Sequence, residues 1–146
     1  MNLYTIGFTQ KSAERFFTLL RENGIERLVD TRLNPGGQLS GFAKGSDLAW
    51  FLPALIGCAY THLPQLAPTT EILHDYRKDH DWARYVQRFE ALMDTRDIPN
   101  TLDRGSFEAA ASCLLCSEAT PEHCHRRLVA ERLAAAWPGT TVIHLM

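Results

Sequence analysis

The sequence lacks an uninterrupted apolar run of membrane-spanning length. Its longest apolar stretch, Ala49 to Tyr60, is broken by Pro53 and Gly57 and falls short of the roughly 20 residues that cross a bilayer, so no membrane contact is expected. Neither sign of charge dominates: fifteen Lys and Arg stand against seventeen Asp and Glu, a formal net charge of −2. Without a global basic field, a nucleic-acid contact has to come from a local patch, and histone-like coating is disfavoured. Met1 is followed at once by strand-like Leu3, Tyr4 and Ile6 rather than by a basic stretch, an apolar core and a small-residue cleavage site, so secretion is not signalled. A cytoplasmic, reducing setting is the expectation. Only four cysteines are present, and in that setting they read as thiols, ligands or core fillers rather than a disulfide framework.

What the chain does have is 45% hydrophobic and 22% charged residues, enough apolar material for one globular domain over residues 1–146. Asn2 to Ile6 is a short β-type run. Ser12 then stands as an N-cap before Phe16, Phe17, Leu19 and Leu20 at helical spacing, with Asn23-Gly24 closing the helix. Glu26 to Thr31 reads as a second strand before the breaker-rich Asn34-Pro35-Gly36-Gly37. Ser46 is placed to cap a helix carrying Leu48, Phe51, Leu52, Leu55 and Ile56, which Gly57 stops, and Cys58 to His62 gives a third strand. Asp81 starts the longest amphipathic helix, with Trp82, Tyr85, Val86, Phe89, Leu92 and Met93 on one stripe. After a polar connection over Pro99 to Gly105, Ser112 to Cys116 is a buried-type strand. Thr120-Pro121 reads as N-cap and first helical residue of a helix running to about Trp137, and Thr141 to Leu145 is the last strand. This alternation predicts an α/β fold: one three-layer domain with a mostly parallel five-stranded sheet and helices on both faces.

Ligands of open parallel sheets bind beyond the carboxyl ends of the strands, where loops and helix N-termini converge. That rule selects Gly7, Phe8 and Thr9 after the first strand, Asp30, Thr31 and Arg32 after the second, His62 at the third, and Cys116, Ser117 and Glu118 at the fourth. Arg32 can grip phosphate or carboxylate bidentately, or pair with Asp30, which shares its face of the strand. His125 and Arg126 fall within roughly 60° of the inward direction that Val129, Leu133 and Ala136 define, on the first turns of a helix whose positive end faces the strand tips. They can hold an anion there or pair with acidic neighbours. Glu118 is a candidate general acid or base if partly desolvated, and Cys116 a nucleophile if a cation lowers its pKa, the alternative for the thiol being simple core packing.

A zinc site is the other chemistry these residues invite, through Cys113, Cys116, Cys124 and His125. Strand alternation turns Cys113 and Cys116 to opposite faces, about 10 Å apart along the strand. The helical phase turns Cys124 roughly 140° away from the inward direction. No metal and no cofactor are therefore expected.

Tyr4-Thr-Ile-Gly7, Leu28-Val-Asp30-Thr-Arg32, Tyr60-Thr-His62-Leu-Pro64, Leu114-Leu-Cys116-Ser-Glu118 and Cys124-His125-Arg126 together resemble the domain-of-unknown-function 488 family over nearly the whole chain. The chain has Gly7-Phe8-Thr9 where many relatives carry Gly-His-Ser. The resemblance implies a compact α/β domain with a polar cluster at the strand tips, and it implies no particular reaction. The residues themselves point to binding or processing of an anionic, phosphate-bearing ligand, a nucleotide or nucleic acid, at the C-terminal edge of the sheet. Arg32, Arg126 and the helix N-terminus would hold it and Glu118 would move protons. The alternatives are a non-catalytic nucleic-acid or protein binding module and a zinc-stabilised domain.

Overall fold

In the computed structural model, which describes the backbone of all 146 residues and every side chain except those of Gln38 and Leu39, the first apolar run is strand β1 (Asn2–Gly7). The Ser12 hydroxyl accepts from the Arg15 N–H at 3.0 Å and caps helix α1 (Ala13–Glu22), supplying a partner for one of the unpaired amides of its first turn. Strand β2 (Arg27–Asp30) follows. Helix α2 (Gly45–Ile56) starts one residue before Ser46, with Lys44 at its cap, so Ser46 does not cap it. Packing fixes that start: the Gly45 N–H donates to the Pro35 carbonyl at 2.7 Å, and a β-carbon at Gly45 would sit 2.7 Å from the Tyr60 hydroxyl. Gly57, left-handed at φ 64°, ends the helix, and β3 (Ala59–His62) follows.

Helix α3 (Thr70–Asp79) was not anticipated. It is capped by the Thr69 hydroxyl, which accepts from the Ile72 N–H at 3.2 Å. Asp81 caps α4 (Trp82–Thr95) as its position suggests. The supposed polar connection holds the start of a short helix, α5 (Arg104–Ala109), whose Phe107 is buried. Strand β4 (Ser112–Cys116), helix α6 (His125–Ala136) and strand β5 (Thr141–Leu145) complete the chain.

Among the described residues the sheet has five strands in the order β3-β2-β4-β1-β5, and every pairing is parallel. Period-two alternation divides the strands between two cores. Ile6, Leu28, Cys113 and Leu115 pack with Phe16 and Leu20 of α1 and Leu48 and Leu52 of α2. Leu3, Val29 and Leu114 pack on the opposite face with Phe89 and Met93 of α4 and Val129 and Leu133 of α6. Three layers result, with helices on both faces.

The chain leaves β1 toward β2 and β3, then leaves β4 in the other direction toward β5. The adjacent strands β2 and β4, whose connections diverge to β3 on one side and to β5 on the other, thus form a topological switch point, where a crevice opens beyond the strand ends. Gly7 and Cys116 lie in register beside it, and Asp30 lies beside both Leu115 and His62. No helix of the described residues is long and apolar enough to cross a membrane.

Candidate functional site

The segment between β4 and α6 decides the geometry of the site. Thr120-Pro121 does not open the helix: α6 begins at His125, and Cys124 is its N-cap residue with extended backbone, φ −133° and ψ 137°. The segment is held out of helical form by the Arg126 guanidinium, whose Nη1 donates to the Glu118 carbonyl at 2.6 Å. A second tie is the Cys124 N–H bonded to the Pro121 carbonyl at 3.2 Å. A helical phase therefore does not apply at residue 124, and Cys124 faces inward, 2% exposed. Ala136, used to set the inward direction, is itself exposed, while Leu128, Val129, Ala130 and Leu133 are buried.

Three buried groups meet as a result: the ligand atoms of Cys116, Cys124 and His125 all lie within 4.8 Å of one another. Cys116 Sγ is 3.5 Å from His125 Nδ1. The far nitrogen of the ring, Nε2, lies 2.8 Å from the Thr31 carbonyl and 3.1 Å from the Thr31 hydroxyl. That hydroxyl spends its own proton on the Leu115 carbonyl at 2.8 Å, so both Thr31 oxygens can only accept from the ring. Nε2 must carry the hydrogen, and in the neutral ring the lone pair on Nδ1 faces the sulfur.

A hydrogen bond from the Cys124 thiol, the Ser117 backbone N–H and the Arg126 charge hold the Cys116 thiol below its ordinary range against the opposing effect of burial. Burial pushes Cys124 well up. The two cysteines outside the cluster are ordinary core groups: burial raises Cys113 well above its usual value and Cys58 to about 11.

These groups form the floor of a cleft of about 600 Å³ at the carboxyl ends of β2 and β4, a size that suits a small organic ligand. One wall is Arg32, Leu33 and Asn34 after β2. Leu73, His74, Tyr76 and Arg77 of α3 form the other, and Ser117, Glu118 and His123 stand on the connection from β4 to α6. Glu118 is exposed, so its carboxylate meets solvent while its carbonyl is tied to Arg126.

Of the residues selected from sequence, Arg32, Cys116, Ser117, Glu118 and His125 line this cleft. Gly7, Thr9, Asp30, His62 and Arg126 do not line it. Asp30, fully buried, takes both prongs of Arg32, with Nε to Oδ1 at 2.9 Å and Nη2 to Oδ2 at 2.7 Å. It also accepts from the Tyr60 hydroxyl at 2.6 Å, and His62 Nε2 donates to the Arg32 carbonyl at 2.7 Å. Arg32 Nη2 reaches the Ala43 carbonyl too, while its Nη1 is buried with no hydrogen-bond partner among the described residues. Arg126 is fully buried, and its hydrogen bonds run to neutral oxygens, the Glu118 carbonyl and the Thr5 hydroxyl.

Gly7 packs so closely under this segment that a β-carbon would lie 1.7 Å from the Glu118 carbonyl oxygen. The Thr9 N–H donates to the Ser117 carbonyl at 3.0 Å. Thr31, which the strand-end rule also picks, holds the His125 ring, Cys124 joins the site although helical phase had turned it away, and Tyr76 and Arg77 are additions from α3. Pro68-Thr69 followed by Ile72, Leu73 and Tyr76 was the signal for α3, a cap ahead of helical spacing. No sequence signal gave the inward turn at Cys124.

The family described as Domain of unknown function DUF488 matches the chain over residues 12–133, and the chain belongs to that family. Comparison with curated proteins and with solved structures gave no match.

Proposed function

We propose that this DUF488 member binds and processes an anionic, phosphate-bearing ligand, a nucleotide or a nucleic-acid end, in the cleft at the C-terminal edge of its sheet. The observation that carries the reading is the cleft itself. Its floor presents a thiol and an imidazole 3.5 Å apart, and Arg77, His74 and His123 stand around it, with Arg32 in the wall already paired to Asp30. A nucleophile beside a base that a third group orients is the arrangement that covalent catalysis requires. Here Cys116 is the nucleophile, His125 Nδ1 receives its proton, and Thr31 fixes the ring. Glu118, exposed at the mouth, is placed to give or take a proton from a ligand lying over Cys116. The basic groups select negative charge, and a reducing cytoplasm would keep both thiols available.

The test is a thermal-shift screen of nucleoside phosphates and 5′-phosphorylated oligonucleotides against the unphosphorylated nucleosides. A ligand at 100 times its dissociation constant adds about 2.7 kcal/mol of stability. Phosphate-bearing members should raise Tm, and Arg77→Ser, at an exposed position, should reduce the shift without changing the Tm of the free protein. Equal shifts with the unphosphorylated compounds, or none at millimolar ligand, would overturn the reading.

A further inference from the structure

Two electron-pair donors, Cys116 Sγ and the lone pair of His125 Nδ1, face each other at 3.5 Å with Cys124 Sγ beside them, and such donors need an electrophile between them. A proton is one answer and serves the proposed reaction. The set also suits a metal. We propose that Cys116, Cys124 and His125 form a three-ligand site for one soft divalent ion, zinc, with its fourth position opening onto the cleft.

Geometry carries the proposal first. With Zn–S near 2.3 Å and Zn–N near 2.05 Å, a tetrahedral angle places sulfur and nitrogen roughly 3.6 Å apart. The observed separation is 3.5 Å before any ion is added. Cys124 Sγ lies within 4.8 Å of Cys116 Sγ and of a ring nitrogen of His125, so closing the set needs a side-chain adjustment rather than a refolded backbone.

The imidazole carries it second. Zinc-binding histidines commonly donate the ring N–H that does not face the metal to a carbonyl, which fixes the tautomer and aims the lone pair. His125 does this through Thr31. Two thiolates and one imidazole form a set for zinc and not for magnesium or calcium, which take oxygen. The loaded set is neutral, so the Arg126 guanidinium meets no net charge in it.

Three protein ligands with an open fourth position is the pattern of zinc sites that receive water or substrate. All three residues line the cleft, and a phosphate oxygen could complete the coordination. In the loaded state Cys116 is a ligand and its reactivity is masked. This last point alone rests on the proposed role of Cys116, since the metal site follows from the three ligand atoms whatever the anion.

The experiment uses the full chain, freed of metal with a chelator and titrated with zinc against a chromophoric competitor, then with Co²⁺ to read thiolate-to-cobalt charge-transfer bands. One ion per chain is expected, together with tetrahedral Co²⁺ bands and protection of Cys116 and Cys124 from iodoacetamide by mass spectrometry. Cys124→Ala and His125→Asn should each weaken binding by at least about tenfold, and Cys58→Ala should not. Should His125→Asn fail to fold, Cys124→Ala and the cobalt spectrum of the unaltered chain still decide the matter. Absence of stoichiometric binding, or equal binding by Cys124→Ala and the unaltered chain, overturns the site. Repeating the phosphate screen on metal-free and loaded protein separates the two ideas. Shifts without zinc binding remove the metal site and leave the anion cleft, whereas zinc binding without shifts does the reverse.

Discussion

His125 donates its Nε2–H to the carbonyl oxygen of Thr31 at 2.8 Å, and this bond ties the first residue of α6 to the chain just beyond β2. It turns a surface-type residue into a buried one with a defined tautomer. The Thr31 hydroxyl supports it by accepting from the same N–H while donating to Leu115. Thr31→Val should remove the hydroxyl at a cost of about 1–2 kcal/mol, because the Leu115 carbonyl keeps its bond from the Thr31 N–H. Thr31→Ser should retain most of the stability. Urea unfolding of both variants checks this, and equal losses would deny the hydroxyl its part.

Gly7→Ala is expected to be among the most damaging small substitutions. The new methyl would lie 1.7 Å from the Glu118 carbonyl oxygen, and backbone cannot yield as a side-chain tip does. The Ser117–Glu118 segment must move, loosening the bond from Arg126. The loss should reach about 3 kcal/mol, the upper part of the range for overpacking. A urea midpoint close to that of the unaltered chain would mean the segment moves freely.

Asp30 and Arg32 form a buried ion pair, 0% and 5% exposed. Removing either partner strands the other charge, so Asp30→Ala and Arg32→Ala should each cost about 3–5 kcal/mol. The double variant should lose less than the sum, because the second change removes the stranded charge. Additive losses from a double-mutant cycle would show that the two side chains act independently.

The alternation of strands and helices was legible because apolar periodicity and caps such as Ser12 and Asp81 are local signals. Arg32 beyond β2 and Cys116 at the end of β4 followed from topology alone. Two things were not legible. Which of its two readings Arg32 takes depends on Asp30, Tyr60 and Ala43 converging from three segments, and the structure gives it the paired one. The inward turn of Cys124 depends on Arg126 pulling on the Glu118 carbonyl. A tertiary bond thus overrode the local N-cap signal of Thr120-Pro121 and moved the helix start by several residues. Cys124 consequently precedes the helix in extended backbone, and helical periodicity does not set its direction.

His144 sets an expected pH dependence of stability. Burial first, then the charge of Arg126, depress its pKa below 6.5, and its Nδ1 lies 2.6 Å from the Thr5 hydroxyl. The fold favours the neutral ring, so the unfolded chain takes up a proton at a higher pH than the folded one. Stability is full above about 6.5 and declines as pH falls through the depressed value. His144→Gln should flatten this part of a urea-derived stability curve between pH 7 and 5. An unchanged slope would place the proton uptake elsewhere.

Glu118→Gln bears on whether the cleft performs chemistry. Two parts of Glu118 do different things: the carbonyl accepts from buried Arg126, while the carboxylate is on an exposed residue at the cleft mouth. Substituting glutamine leaves the carbonyl in place, so stability should stay within about 0.5 kcal/mol, as for surface changes. If the carboxylate transfers protons, turnover of a phosphate-bearing substrate found by the screen should fall by roughly 10² to 10⁴ at unchanged affinity. Melting temperature, affinity and turnover measured on one preparation separate the possibilities. Unchanged turnover removes Glu118 from the reaction and leaves proton transfer to the Cys116–His125 pair. A large drop in melting temperature would instead show that the carboxylate holds the segment together, a role that its exposure and the backbone bond to Arg126 speak against.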